Sequence, residues 1–185
     1  MEHLMNDLET VGTGSHAAII SIGCIFFDLN GLGQSFYQAV RPTSNHNFGR
    51  EMDGDTICWW MKQSEEARKV WQDQSAVDLD VALKRLHDWA KTMTTGKIKL
   101  WGNGSDFDNV ILGNAYDATK QPKFWQYNKN RCFRTMRAEL CTPDEAKALW
   151  DKHANGTHHN ALDDAIRQAN ILIEIYRAKN LILGS

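Results

Sequence analysis

Residues 3–10 read HLMNDLET, and residues 17–29 read AAIISIGCIFFDL. The second stretch is rich in β-branched and aromatic residues, which is typical of a central strand of a sheet. The first stretch has the length of a shorter strand, and residues 34–41 form a third predicted strand after a turn at residues 30–33. Because short connections join these three segments, we predict an antiparallel meander at the start of the fold.

The rest of the chain alternates helical patterns with short apolar segments. Asp55 or Thr56 is expected to cap a helix that passes through residues 59–61, and Asp78 is expected to cap the next helix. The helix that Asp78 caps is predicted at 79–93. The remaining predicted elements are strands at 97–102 and 131–136 and helices at 108–118, 144–152 and 161–178. Strands followed by alternating strands and helices predict one α/β domain over residues 1–185, with a mixed sheet flanked by helices.

The composition indicates a single hydrophobic core and no broad basic surface. Of the 185 residues, 42% are hydrophobic, and the formal net charge is −2. This charge argues against a protein that coats long duplexes with a basic clamp. It is compatible with a nuclease that grips a short single-stranded end, because bound metal ions would add positive charge where the phosphate lies.

The cysteines and the N-terminal residues bear on the cellular compartment. The four cysteines are widely spaced, so we expect free thiols in a reducing environment and neither disulfides nor a zinc site. The acidic residues among the first ten are unlike a signal peptide, and the longest apolar stretch, residues 17–27, is too short to cross a bilayer. We therefore expect a cytoplasmic protein without a membrane partner.

Asp7 and Glu9 are two residues apart on the first predicted strand, so both side chains are expected to project from the same face of the sheet. Two adjacent carboxylates on an apolar strand repel each other and are costly to desolvate. A divalent cation such as Mg²⁺ would remove that cost and leave coordination positions for phosphate and water. The alternative is an edge strand whose two acids are solvated.

Residues 101–108, WGNGSDFD, place a glycine-rich turn and an acid between a predicted strand and a predicted helix. Ligands bind at such strand ends in α/β folds, and a helix N-terminus stabilises a carboxylate. Asp106 and Asp108 are both candidates for the acid of this site. Either residue could instead serve only as a helix cap.

Residues 158–165, HHNALDDA, open the last predicted helix. His159 lies just before this helix, and Asp164 follows about one and a half turns later. An imidazole is suited to deprotonate water near pH 7 while the acid holds a metal ion. His158 is the competing candidate for this base. The alternative without a catalytic function is a histidine-rich loop with Asn160 as the helix cap.

In this order, the segments DLET at 7–10, FD at 107–108 and HNALDD at 159–164 resemble the DEDDh family of 3′→5′ exonucleases. The resemblance spans residues 7–178 and implies a ribonuclease H-like fold with a mixed five-stranded sheet flanked by helices. The phrases WGNGSDFDN, DTICWWMKQSEEAR and HHNALDDA are similar to the subgroup that contains the polyadenylate-specific exoribonuclease AS and exodeoxyribonuclease VIII-like domains.

The second motif departs from the family pattern. Many members have N-x-x-x-D there, whereas Asn103 is one residue further from Asp108 in this chain. Alignment through Phe107 favours Asp108 as the metal ligand and leaves Asp106 as the lesser candidate.

The resemblance implies hydrolysis of the terminal phosphodiester with two Mg²⁺ ions, for which Mn²⁺ could substitute. Asp7 would bridge both ions. Glu9 and Asp164 would bind the ion on the side of the attacking water, and His159 would take the proton from that water. Asp108 would bind the second ion mainly through water.

The same resemblance implies a grip on the 3′ end of single-stranded RNA or DNA. At most one of Trp59 and Trp60 is expected to stack on a base, because neighbouring helical residues point about 100° apart. Both rings could instead belong to the core. The other expected substrate-binding residues are Thr10, Val11, Asn103, Phe107 and Arg134. Of these, Phe107 could pack beneath the site and Arg134 could form a structural ion pair.

The expected products are nucleoside 5′-monophosphates, and a homodimer is expected by resemblance only. The sequence does not separate RNA from DNA as substrate, because mainly backbone groups would sense a 2′-hydroxyl. One rival function is a catalytically idle module that binds nucleic acid or supports a polymerase, and the intact set of acids with a histidine argues against it. The other rival is a ribonuclease H-type endonuclease, which the H-x-A-L-x-D ending opposes.

Overall fold

The computed structural model describes residues 1–184 and contains a five-stranded mixed sheet with the strand order β3-β2-β1-β4-β5. The strands are β1 (His3–Thr10), β2 (Ile19–Asp28), β3 (Gly31–Ala39), β4 (Lys99–Gly102) and β5 (Asn130–Cys132). The first three strands pair antiparallel, as the short connections predicted. β4 and β5 run parallel to β1. The sheet therefore confirms the predicted α/β class.

Helices cover both faces of this sheet. They are α1 (Gly54–Trp60), α2 (Glu65–Arg68), α3 (Leu79–Met93), α4 (Asp108–Ala118), α5 (Phe133–Leu140), α6 (Pro143–Lys152) and α7 (Ala161–Ala178). Three 3₁₀ segments add Pro42–Phe48, Lys69–Gln72 and Tyr127–Lys129. Within residues 1–184, none of the helices is long and apolar enough to cross a membrane.

Side-chain alternation on β1 divides the core into two layers. Leu4 and Leu8 point to the face that α3 and α4 cover, whereas Met5 points to the face that α5 and α7 cover. A third apolar cluster lies under α1 and α2 and contains Val11 and Trp60. The central strand is thus buried on both faces, and any polar side chain on it needs a partner supplied by the fold.

Most predicted boundaries are confirmed within two residues, and three are wrong. β3 begins at Gly31, inside the predicted turn at 30–33 and three residues before the predicted strand. The predicted strand at 131–136 ends at Cys132, where the thiol accepts the amide of Thr135 and begins α5. The cap of α1 is neither Asp55 nor Thr56 but Asp53, whose carboxylate accepts from the amide of Asp55 and the hydroxyl of Thr56, both at 3.0 Å. In the last two places a local side-chain hydrogen bond begins the helix, and β propensity does not reveal such a bond.

The N-terminus of α7 packs directly on the backbone of β2. Gly23 pairs with Asp7 across the sheet. A methyl group at Gly23 would lie 2.2 Å from backbone atoms of Ala161 and Leu162, a distance that no real contact allows. Only glycine therefore permits the last helix to approach this closely, and the approach carries Asp164 toward Asp7.

Candidate active site

Three carboxylates converge where β1 meets α7. Asp7 and Glu9 project from the same face of β1, as strand alternation predicted, and Asp164 lies in the first turn of α7. Carboxylate oxygens of these three residues lie within 4.8 Å of one another. We refer to Asp7, Glu9 and Asp164 as the carboxylate cluster.

Hydrogen bonds at the start of α7 hold Asp164 in this position. Asn160 caps the helix by accepting from the amides of Leu162 and Asp163 at 3.1 and 3.2 Å. Oδ2 of Asp164 accepts from the backbone amide of His159 at 3.0 Å, and Oδ1 accepts from Arg167 at 3.1 Å. The acid and the adjacent histidine therefore form one rigid unit with the helix end.

Asp108 lies beside the carboxylate cluster at the N-terminus of α4. Its Oδ1 accepts from the amide of Leu8 at 3.1 Å, and its Oδ2 accepts from the amide of Asn103 at 2.7 Å. Asp108 is buried and Asp106 is exposed, so the structure brings Asp108 to β1 and leaves Asp106 at the surface. The turn between Asn103 and Asp108 is one residue longer than in the N-x-x-x-D pattern, and Asp108 still contacts β1.

An asparagine pair fixes α4 against the strands. Asn6 donates to Asn109 Oδ1 at 2.8 Å and to the carbonyl of Trp101 at 2.9 Å. Asn109 donates in turn to the carbonyl of Leu100 at 3.0 Å. These buried bonds set the depth of α4, and with it the position of Asp108.

The buried acids are electrostatically costly as they stand. Burial, reinforced by Asp108, Glu9 and Asp164, raises the pKa of Asp7 well above its ordinary value. Burial together with the charges of Asp164 and Asp108 raises the pKa of Glu9 to about 8. Burial raises the pKa of Asp108 to about 6, although backbone hydrogen bonds oppose the shift. A divalent cation would stabilise these carboxylates, and their oxygen donors are those that Mg²⁺ and Mn²⁺ prefer.

His159 faces the carboxylate cluster from the loop before α7. Its backbone has a φ of 65°, a left-handed conformation that is uncommon outside glycine. Its ring packs edge-on against Trp59, with centroids 4.8 Å apart, and against the exposed His158 at 4.0 Å. Burial of the ring lowers the pKa of His159, so the neutral form dominates at neutral pH. Both histidines have ring nitrogens within 4.8 Å of an Asp164 oxygen.

The carboxylate cluster forms the floor of a cavity of about 530 Å³. Trp59 is 42% exposed and lines this cavity. Trp60 is only 2% exposed, and its indole N–H donates to the carbonyl of Thr10 at 2.8 Å. Trp59 is therefore the more exposed of the two rings, whereas Trp60 also borders the cavity but is buried and supports the end of β1.

The family model of the 3′-5′ exoribonuclease Rv2179c-like domain matches residues 2–176. The chain belongs to this family. Membership confirms the resemblance to DEDDh exonucleases that the three acidic motifs indicated.

Similarity to individual proteins supports the same assignment. An exodeoxyribonuclease of Enterobacteria phage T4 is 31% identical over 118 residues, which cover 57% of this chain and 52% of that protein. The chain thus spans about half the length of this curated relative.

Solved structures share the fold at low identity. The nuclease domain of 3′hExo, a DEDDh family member bound to rAMP, has a TM-score of 0.67 at 16% identity, covering 98% of this chain and 94% of that one. Pop2p of S. pombe with Mg²⁺ and Mn²⁺ bound has a TM-score of 0.64 at 16% identity, covering 95% and 82%. Exonuclease X in complex with 5′ overhanging duplex DNA has a TM-score of 0.60 at 15% identity, covering 96% and 93%. The ribonuclease H-like fold is therefore confirmed.

The residues expected to contact substrate divide into two groups. Thr10, Asn103 and Phe107 line the cavity. Val11 is fully buried in the cluster under α1, so it is a core residue and cannot pack against a base as expected. Arg134 is exposed and donates to the carbonyl of Asn103 at 2.8 Å, which places it behind the loop and outside the cavity lining.

Sequence reasoning missed two residues of α7 that contact the acids. Gln168 donates to Asp7 Oδ1 at 2.7 Å, and the buried Arg167 bridges Asp164 to the carbonyl of His153. Their spacing, three and four residues after Asp164, was the available signal, because such positions share a helix face. The remaining cavity residues that the motifs did not indicate include Thr13, Asp53, Asp55, Thr56 and Trp150.

Proposed function

We propose that this chain removes nucleotides one at a time from the 3′ end of single-stranded RNA or DNA and releases nucleoside 5′-monophosphates. The observation that carries the proposal is the convergence of three carboxylates from β1 and α7 on the floor of one cavity. A module that only binds nucleic acid has no need for buried acids whose pKa is raised. Family membership supports the direction of cleavage.

Two Mg²⁺ ions, or Mn²⁺ in their place, fit the donors of this site. Asp7 would contact both ions, and Glu9 and Asp164 would hold the ion on the side of the attacking water. Asp108 would hold the second ion through water, because both of its oxygens already accept backbone amides. When bound, such ions activate water and stabilise the leaving 3′ oxygen. The solved structure of Pop2p carries Mg²⁺ and Mn²⁺ on the same fold.

His159 would act as the general base. Its lowered pKa keeps a ring nitrogen unprotonated at neutral pH, and that nitrogen would accept the proton of the attacking water. The amide bond from His159 to Asp164 keeps the ring beside the carboxylate cluster. His158 lies next to it but is exposed, so its ring is free to turn toward solvent.

The cavity would hold the terminal nucleotide. Its volume of about 530 Å³ falls within the range typical of small-ligand pockets. Trp59 would stack on a base, an interaction worth about 1–3 kcal/mol that tolerates any base. Asn103, Phe107 and Thr10, the last residue of β1, line the cavity together with Trp59.

One assay tests the proposed activity. RNA and DNA strands labelled at the 5′ end are incubated with the purified chain and Mg²⁺, with Asp7→Asn as the control for a contaminating nuclease. A descending ladder from the 3′ end is the expected result with the native chain. Internal cuts would mean an endonuclease, and retained binding without cleavage would mean an idle module. Both strands are needed, because the family is named for ribonucleases and the T4 relative for a deoxyribonuclease.

Two further proposals rest on the resemblance and the composition. We propose a cytoplasmic location and a homodimer for this exonuclease. Light scattering at micromolar concentration tests the homodimer, and a monomeric mass would contradict it.

A further inference from the structure

Gln168 lies one helical turn after Asp164 on α7 and lines the active-site cavity. Its side-chain amide donates to Oδ1 of Asp7 at 2.7 Å. When a cation is bound, Asp7 is ionised and only accepts hydrogen bonds, so the nitrogen of the amide must then face Asp7. The orientation of the whole amide group, and so the position of its oxygen, is fixed by the contact.

The oxygen of this amide has no partner within the protein. Gln168 is 1% exposed, and among residues 1–184 no donor satisfies its buried Oε1. An unsatisfied buried acceptor costs about 1–3 kcal/mol. Such a group in a folded protein calls for an explanation, and a ligand or an ordered water that completes the hydrogen bond is one. The acceptor belongs to a residue of the cavity wall, beside the carboxylate cluster.

We propose that Gln168 is a positioning residue of the metal site: Nε2 orients Asp7, and Oε1 accepts a hydrogen bond from a water bound to the ion that Asp7 holds. The inference rests on the proposed function for the presence of that ion. Mg²⁺ and Mn²⁺ at oxygen-rich sites keep several waters, whose hydrogens need acceptors. Groups that support metal ligands in this way are worth about 10- to 100-fold in metal affinity.

The test measures Mn²⁺ binding by calorimetry on the full chain without substrate. Gln168→Met keeps the length of the side chain and removes both hydrogen bonds. Gln38 gives a matched control, because it is also a buried glutamine and its amide donates to the carbonyl of Ala39 on β3. We expect Gln168→Met to weaken Mn²⁺ binding about 10- to 100-fold. Gln38→Met should lower thermal stability and leave Mn²⁺ affinity unchanged.

A second variant guards against simple misfolding. Gln168→Glu keeps an oxygen acceptor at the same place, so it should bind Mn²⁺ more tightly than Gln168→Met. Native Mn²⁺ affinity in a folded Gln168→Met protein, or equally weak binding by both variants, overturns the inference, as does a native chain that binds no Mn²⁺. If the variants behave as expected but the native chain cleaves neither RNA nor DNA, the proposed activity fails and the role of Gln168 in the metal site stands.

Discussion

The acids of the site are held in two different ways in two neighbouring regions. In the region of β1 and α7, Asp7 and Glu9 have raised pKa values and share the cavity floor with Asp164. In the region of β4 and α4, Asp108 is enclosed, and two backbone amides satisfy its oxygens. The carboxylates of the first region would be stabilised by a bound cation, whereas backbone amides already satisfy the oxygens of Asp108 in the second region. Direct ligation should therefore belong to the first region and indirect support to the second.

Glu9→Gln should produce the largest effect. The variant removes one charge from the carboxylate cluster and should weaken the binding of the ion on the side of the attacking water. Since a metal ion supplies several kcal/mol of transition-state stabilisation, kcat should fall on the order of 10³-fold. Single-turnover cleavage of labelled RNA measures the loss, and circular dichroism checks the fold. A fall of less than tenfold would contradict direct ligation by Glu9.

His159→Ala should lower kcat by about 10²–10⁴-fold and leave Mn²⁺ affinity close to native, because it removes a base and no carboxylate. His158→Ala is the matched control and should change kcat only slightly. Comparison of kcat with calorimetric Mn²⁺ binding separates the two roles. If His158→Ala proved the more damaging variant, the base would be His158.

Asp108→Asn should produce a smaller effect than Glu9→Gln. Asparagine keeps one oxygen for the amide of Leu8 or of Asn103, and support through water is worth about 10- to 100-fold. The Mg²⁺ concentration for half-maximal cleavage should rise by that factor, with a modest change in kcat at saturating Mg²⁺. Asp106→Asn should behave like the native chain. An Asp108→Asn loss as large as that of Glu9→Gln would remove the distinction between the two regions.

The smallest expected effect is that of pH on the stability of the metal-free chain. A carboxyl whose pKa is raised in the folded state stabilises the fold below its unfolded pKa and loses that contribution as pH rises through the folded value. Because the pKa of Glu9 is about 8, the metal-free chain should lose stability between about pH 5 and pH 9. Mn²⁺ should therefore raise the melting temperature more at pH 8 than at pH 5. Scanning calorimetry at both values measures this, and an equal shift would contradict the electrostatic account.

The sequence predicted the placement of residues wherever that placement follows from local spacing. The alternation of Asp7 and Glu9 requires only a strand, and the offset from His159 to Asp164 requires only a helix end. Spacing places Gln168 on the same helix face as Asp164, but it could not predict the contact with Asp7, because Asp7 lies on a strand 161 residues away and the contact depends on the depth at which α7 packs. Val11 was misplaced for the same reason. Its burial is decided by α1 and α2 and not by its neighbours in sequence.

The close approach at Gly23 makes the spacing of the carboxylate cluster a property of the main chain. Only a hydrogen atom separates β2 from the first turn of α7 on that side. A methyl group there would shift the whole helix, and Asp164, His159 and Gln168 would move together. Gly23→Ala would thus behave as an active-site lesion although it removes no functional group. Undocking of α7, even without global unfolding, would dismantle the site, so nuclease activity would report on the docking of this one helix.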